Sequence, residues 1–235
     1  MKTVAIIPAA GLGTRMGRSA PESSARKQFL TLGDAPVFVQ TIRQFVAARS
    51  ISEVLLAVRE DDRKEVETAL DRETFAKPVR LAPGGNSRQE SVRNCLAVTP
   101  DDVDIVVVHD AVRPFVSPRL IDQVVEQAKQ VGAVILGLPA VDTVKRVDQR
   151  IVHATLPRES IMLAQTPQAF RTEILRRAYV VAERDGFTGT DEASLVEHSG
   201  EDVHVMMGSP RNIKITRPAD LQLAQFYLDN PGEQE

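Results

Sequence analysis

The chain has 235 residues, 43% hydrophobic and 26% charged, with a net charge of −3. That is enough sequence to bury one α/β core, and its charge is too balanced for a general nucleic-acid or membrane surface, so any anion site must be a local basic cluster. One cysteine permits no internal disulfide, four scattered histidines make no zinc cluster, and Met1-Lys2 enters a strand without a hydrophobic signal region; the expectation is a cytoplasmic protein without a structural metal.

In chain order, apolar β-branched runs predict strands at Val4 to Ile7, Val54 to Val58, Val79 to Leu81, Ile105 to Val108 and Val134 to Leu138. Helical periodicity falls between and after them, at Val37 to Ala48, Asp61 to Leu70, Arg88 to Val98, Pro118 to Val131, Glu173 to Arg184, Asp191 to His198 and Pro218 to Leu228. Ser87 and Glu90 form a capping box, Thr190 can cap before Asp191-Glu192, and Thr216 precedes Arg217-Pro218. The alternation predicts an α/β fold with a mostly parallel sheet, in one domain over residues 1–235.

The first strand opens into Pro8-Ala9-Ala10-Gly11-Leu12-Gly13-Thr14-Arg15-Met16. Ala9, Ala10, Gly11 and Gly13 let backbone N–H groups approach an anion, and Arg15 adds a positive fork. The glycine spacing misses the dinucleotide fingerprint, and the next lysine, Lys27, is too distant for a Walker loop. Ligands of such sheets gather at the carboxyl ends of strands. After the third strand comes Pro83-Gly84-Gly85-Asn86-Ser87-Arg88-Gln89-Glu90-Ser91, after the fourth His109-Asp110-Ala111-Val112-Arg113, and after the fifth Asp142, Thr143 and Lys145. Thr166-Pro167-Gln168, Thr190 to Ser194 and Asn212-Ile213-Lys214 add polar groups later. Cys95 reads as packing, His109 as a local hydrogen-bonding residue, and Asp110 as a functional carboxylate for a ribose hydroxyl, a metal-bound water or Arg113.

The motifs PAAGLGTRM, KQF, GGNSRQESV, VVVHDAVRP, DTVKR, TPQAF, TDEAS and NIKITRPADL, in this order, resemble those of the 2-C-methyl-D-erythritol 4-phosphate cytidylyltransferase family over nearly the full length. The resemblance implies a Rossmann-like sheet with helices on both faces, a protruding dimerisation arm at about residues 142–158, and CMP transfer from CTP to the sugar-alcohol phosphate. By the same resemblance Arg15 and Lys27 stabilise the transition state, while Arg158 and Lys214 position the substrate phosphate. Ala10 and Gly11 match backbone contacts to nucleotide and phosphate, and Gly85, Asn86 and Ser91 match the cytosine-binding loop, with Gly84 beside them. Asp110, Arg113, Thr143, Thr166 and Thr190 match substrate-facing positions. Two departures are visible: a longer segment between Met16 and Lys27, with Arg26 where many members have proline, and Asn86 where some have aspartate.

The residue inventory suits that chemistry. A phosphate monoester is already a nucleophile, so attack on the α-phosphorus of CTP needs relief of charge repulsion rather than a strong base. Arg15, Lys27, Lys214 and a Mg²⁺ ion held mainly by the CTP phosphates meet that need. The alternatives are a ribitol 5-phosphate cytidylyltransferase and a nucleotide-binding regulator without turnover. In the arm, Val144, Val147, Ile151, Val152 and Leu156 flank the turn Asp148-Gln149-Arg150 and need cover that a hairpin lacks; a homodimer exchanging arms would supply it.

Overall fold

The computed structural model describes residues 1–11 and 27–231. Arg15 and Gly13 lie outside the described residues, as does the segment 19–25. The central sheet has seven strands: β1 (Thr3–Pro8), β4 (Glu53–Val58), β5 (Val79–Pro83), β6 (Ile105–Val108), β7 (Ala133–Pro139), β10 (Met162–Arg171) and β11 (His204–Met207). Their order is β11-β7-β10-β6-β1-β4-β5, and β10 alone runs antiparallel to its neighbours. A small hairpin, β2 (Thr31–Leu32) with β3 (Ala35–Pro36), stands apart, as does a ribbon of β8 (Val144–Asp148) and β9 (Ile151–Leu156).

Both faces of the sheet are buried, which is why its central strands read as continuous apolar runs. Ala5, Ile7, Val54, Leu56 and Val107 face one core, beneath α1 (Val37–Ala47), α2 (Arg63–Leu70) and α4 (Pro118–Val131). Val4, Ile6, Leu55, Ala57 and Val106 face the other, beneath α3 (Arg88–Ala97), α5 (Thr172–Asp185) and α6 (Glu192–His198). The period-2 alternation of the strands thus sorts side chains between two helical layers. A third, small cluster of Leu32, Val37, Ile215 and Ala224 seats α7 (Pro218–Asp229) against β2.

The predicted strands and helices are present, with ends shifted by a residue or two. Two strands of the central sheet escape the sequence pattern, as does the short β2–β3 hairpin. β10 contains Gln165-Thr166-Pro167-Gln168, which reads as a break; the register shift between Gln165 and Gln168 absorbs it, and the strand pairs on both sides. β11 is a short edge strand that pairs only with β7. Two expected caps are also corrected. Asp191, not Thr190, caps α6, accepting the Ser194 N–H at 3.0 Å; the carboxylate is the better acceptor for an orphan donor. At α7 the Asp220 carboxylate gathers the Thr216 N–H and hydroxyl and the Arg217 N–H, so the fastening group comes from inside the helix.

The chain leaves β7 into the β8–β9 ribbon and returns as β10, which inserts between β7 and β6. The ribbon turns through Gln149 and Arg150, both with positive φ, as a two-residue hairpin loop requires. Val147, Ile151 and Val152 on it are exposed.

Candidate active site

The carboxyl ends of β1, β5 and β6 bring three loops together. After β1, the Ala9 N–H donates to the Ala57 carbonyl, while Gln28 Nε2 donates to the carbonyls of Ala9 at 2.7 Å and Gly11 at 3.1 Å. Gln28 is buried, and it follows Lys27 in a short 3-10 turn, so the KQF segment both clamps the Gly loop and brings buried Lys27 beside it. After β5, Gly84 packs so closely on Ala10 that a Cβ there would stand 2.4 Å from the alanine's own; only glycine lets these loops touch.

The loop that follows is tied by its own donors. The Gly84 N–H reaches the Val58 carbonyl, the Gly85 N–H reaches Ser91 Oγ at 3.0 Å, and the Asn86 N–H reaches Glu90 Oε2 at 2.7 Å. Ser91 in turn donates to the Ser87 carbonyl, and Ser87 Oγ caps α3 by accepting the Glu90 N–H. Ser91 therefore shapes this loop from behind, and among the described residues none donates to the carbonyls of Gly84 or Gly85.

After β6, Asp110 is the hub. Its Oδ2 takes Lys214 Nζ at 2.7 Å and lies 3.6 Å from Arg113 Nε, and its Oδ1 takes Arg88 Nε at 3.1 Å. Burial alone would raise the Asp110 pKa, but Arg88, Lys214 and Arg113 hold it well below the usual carboxylate range. Asn212 cements the wall: its carbonyl accepts from Arg113 at 2.7 Å, and its side chain donates to the Thr166 carbonyl at 2.7 Å. The resulting cleft, about 170 Å³, is lined by Arg88, Asp110, Arg113, Thr166, Thr190 and Lys214 among others. Cavities of about 770 and 800 Å³ lie elsewhere and contain none of the expected site residues. Convergent charge, not size, marks this site.

His109 is buried beneath that hub. Its Nε2 sits 3.0 Å from the Arg113 carbonyl, which can only accept, so that nitrogen carries the proton; Nδ1 then accepts from Thr166 Oγ1 at 3.0 Å. The Thr166 oxygen also accepts the Asp110 N–H. Burial pushes the imidazole pKa down to about 4, so His109 is a neutral scaffold group, as the sequence suggested. The folded pKa lies below the ordinary 6.5, so the unfolded chain binds the extra proton first: this contribution is intact above pH 6.5 and is lost as pH falls toward 4. Urea unfolding should register a loss of about 3 kcal/mol across that window, and His109→Asn should lack that slope. Equal slopes in both proteins would contradict the assignment. Cys95 is buried with its thiol pushed up to about 12, consistent with packing.

The structure does not bring every expected residue into the cleft. Thr143 and Arg158 line a separate cavity of about 370 Å³ at the base of the ribbon, where Arg158 Nη1 donates to the Val141 carbonyl at 2.9 Å. Arg88, Glu192 and Gln28 are site or scaffold residues that sequence reasoning quoted inside motifs but gave no role. Their signal was only their place: Arg88 after Gly84-Gly85, Gln28 after Lys27, and Glu192 after Thr190-Asp191.

Comparison with known proteins follows the same lines. A profile of the family described as 2-C-methyl-D-erythritol 4-phosphate cytidylyltransferase matches residues 3–230. A protein of that name from Acidobacterium capsulatum is 50% identical, with 97% of this chain and 98% of the relative covered, and one from Solibacter usitatus is 47% identical, covering 97% and 96%. Among solved structures, 2-C-methyl-D-erythritol 4-phosphate cytidylyltransferase from Thermus thermophilus is 33% identical with a TM-score of 0.78, covering 97% of this chain and 100% of that one. A 4-diphosphocytidyl-2C-methyl-D-erythritol synthase from Anaerococcus prevotii reaches a TM-score of 0.84 at 29% identity, covering 97% and 96%. The fold, the loops at its strand ends and these full-length matches place the chain in the 2-C-methyl-D-erythritol 4-phosphate cytidylyltransferase family.

Proposed function

We propose that the cleft around Asp110 performs the family's reaction: CMP passes from CTP to 2-C-methyl-D-erythritol 4-phosphate, giving 4-diphosphocytidyl-2-C-methyl-D-erythritol and pyrophosphate for isoprenoid biosynthesis. The observation that carries this is the Lys214–Asp110 pair at 2.7 Å, flanked by Arg88 and Arg113 at the carboxyl end of β6. A phosphate monoester brought there meets fixed cations and needs no general base. The Ala9 to Gly13 loop, Arg15 and Lys27 take the triphosphate of CTP, and the Gly84, Gly85, Asn86 and Ser91 loop takes its cytosine. Arg113, Thr166 and Thr190 face the sugar alcohol. Among the described residues no group of three or more His, Cys, Asp or Glu can hold a metal, and the Asp110 oxygens already face Arg88, Lys214 and Arg113. That donor set suits a Mg²⁺ ion carried by the CTP phosphates, where it offsets their charge.

Arg158 and Thr143 stand apart from the cleft in one chain, while the ribbon leaves Val147, Ile151 and Val152 exposed. Both features suit a homodimer that exchanges ribbons and delivers Arg158 to the partner's cleft. Mixing Lys27→Ala and Arg158→Ala proteins after subunit exchange tests this. Each is expected to be nearly inactive, yet about a quarter of sites should recover, because in half of the random dimers one site draws an intact Lys27 and an intact Arg158. No recovery despite demonstrated exchange would mean that Arg158 serves its own subunit.

No helix among the described residues is long and apolar enough to cross a membrane. The substrates of the proposed reaction are water-soluble phosphates, and the proposed enzyme acts in the cytoplasm. The reaction is tested with purified protein, CTP, Mg²⁺ and either 2-C-methyl-D-erythritol 4-phosphate or ribitol 5-phosphate, following pyrophosphate. Release with the first and little with the second is expected; the reverse preference, or none at all, would overturn the reading.

A further inference from the structure

Arg88 opens α3 immediately after the Gly84–Ser87 loop, yet its side chain takes no part in that loop's hydrogen bonds. It reaches across to two carboxylates on different elements. Nη1 donates to Glu192 Oε1 and Oε2 at 2.8 and 2.7 Å, and Nε donates to Asp110 Oδ1 at 3.1 Å. Glu192 is 1% exposed and is itself held by the Tyr179 hydroxyl, 3.2 Å from Oε1. The start of α6 that carries Glu192 is docked in turn by Gln168, which accepts the Ala193 N–H and donates to Asp191.

The Asp110 carboxylate is therefore pinned on one oxygen by a fixed guanidinium, while its other oxygen receives Lys214. A carboxylate held this way cannot rotate freely, so Arg88 on Oδ1, with Arg113 Nε 3.6 Å from Oδ2, sets where Oδ2 lies and hence where the Lys214 ammonium sits. A lysine would serve less well than Arg88, because its single ammonium lacks the rigid planar fork that meets Glu192 with one nitrogen and Asp110 with another. Stability alone gives little reason to keep such a pair, since a buried ion pair is often no better than apolar packing of the same volume.

We propose that Arg88 is a positioning residue that, anchored by Glu192, acts through Asp110 to aim Lys214 at the acceptor phosphate. This rests on the proposed role of the cleft, but its test reads binding rather than turnover. Calorimetry would measure the Kd of 2-C-methyl-D-erythritol 4-phosphate with the α,β-methylene analogue of CTP bound, together with the Kd of that analogue. Arg88→Gln, Arg88→Lys and Glu192→Gln should each weaken acceptor binding by roughly 10-fold or more, the loss expected when a charge-assisted hydrogen bond to the phosphate is misaligned. The analogue's own Kd should stay within about twofold, because the Arg88 and Glu192 side chains do not hold the Gly84–Ser87 loop.

The decisive comparison is made in a Lys214→Ala background. If Arg88 acts through Lys214, Arg88→Gln or Glu192→Gln then adds little to the acceptor Kd, whereas independent effects would multiply. Should Arg88→Gln fail to fold, Glu192→Gln and Arg88→Lys complete the same cycle. Multiplying effects, an equal loss of analogue affinity, or unchanged acceptor affinity in a folded Glu192→Gln protein would each overturn the inference. Absence of acceptor binding by the wild-type protein would instead defeat the functional reading beneath it.

Discussion

With UTP in place of CTP, kcat/KM should fall by roughly 10⁴, the discrimination reached when a built polar site is left unpaired. By sequence, this discrimination falls to the backbone groups around Gly84 to Ser87 and to the Ser91 hydroxyl, but Ser91 Oγ accepts the Gly85 N–H and donates to the Ser87 carbonyl. The structure narrows this, because the N–H groups of Gly84, Gly85 and Asn86 are engaged with Val58, Ser91 and Glu90. The carbonyls remain, and they match the two hydrogens of cytosine's amino group. Uracil presents an oxygen at that position, so acceptor would meet acceptor. Steady-state kinetics with both nucleotides check this; kcat/KM values within tenfold of each other would remove the cytosine pocket from this loop.

Lys214→Ala should lower kcat/KM for the acceptor on the order of a hundredfold, with circular dichroism unchanged. Two losses combine in it. The ammonium no longer meets the phosphate, and Asp110 Oδ2, which Lys214 holds at 2.7 Å, then offers its negative charge to an anionic substrate. Lys27→Ala, which removes a cation from the triphosphate side, should also cost about a hundredfold, worth about 3 kcal/mol. A folded Lys214→Ala enzyme within threefold of wild type would end the assignment of this cleft.

Legibility differed sharply between elements. Strands buried on both faces announce themselves, so β1, β4 and β6 were readable from Val, Ile and Leu runs alone. β10 was not readable, because its centre, Gln165 to Gln168, carries a proline, a register shift and polar side chains that other elements satisfy. The cap at α6 was misplaced by one residue because Thr190 and Asp191 are adjacent capping types, and it is the Asp191 carboxylate that accepts the Ser194 N–H. Among site residues, those on the glycine loops and Asp110 were visible at strand ends. Arg88 and Glu192, 104 positions apart, acquire meaning only from each other.

The sequence by itself determined the layered α/β architecture, the loops at strand ends and the family, because hydrophobic period, glycine placement and ordered motifs are local properties of the chain. Tertiary structure alone decided how the charges are shared. Whether Asp110 meets Arg88, Lys214 or Arg113 and which nitrogen of His109 carries the proton depend on distances across elements. Electrostatic energy at a few ångströms changes steeply with separation and burial, and no spacing along the chain encodes it.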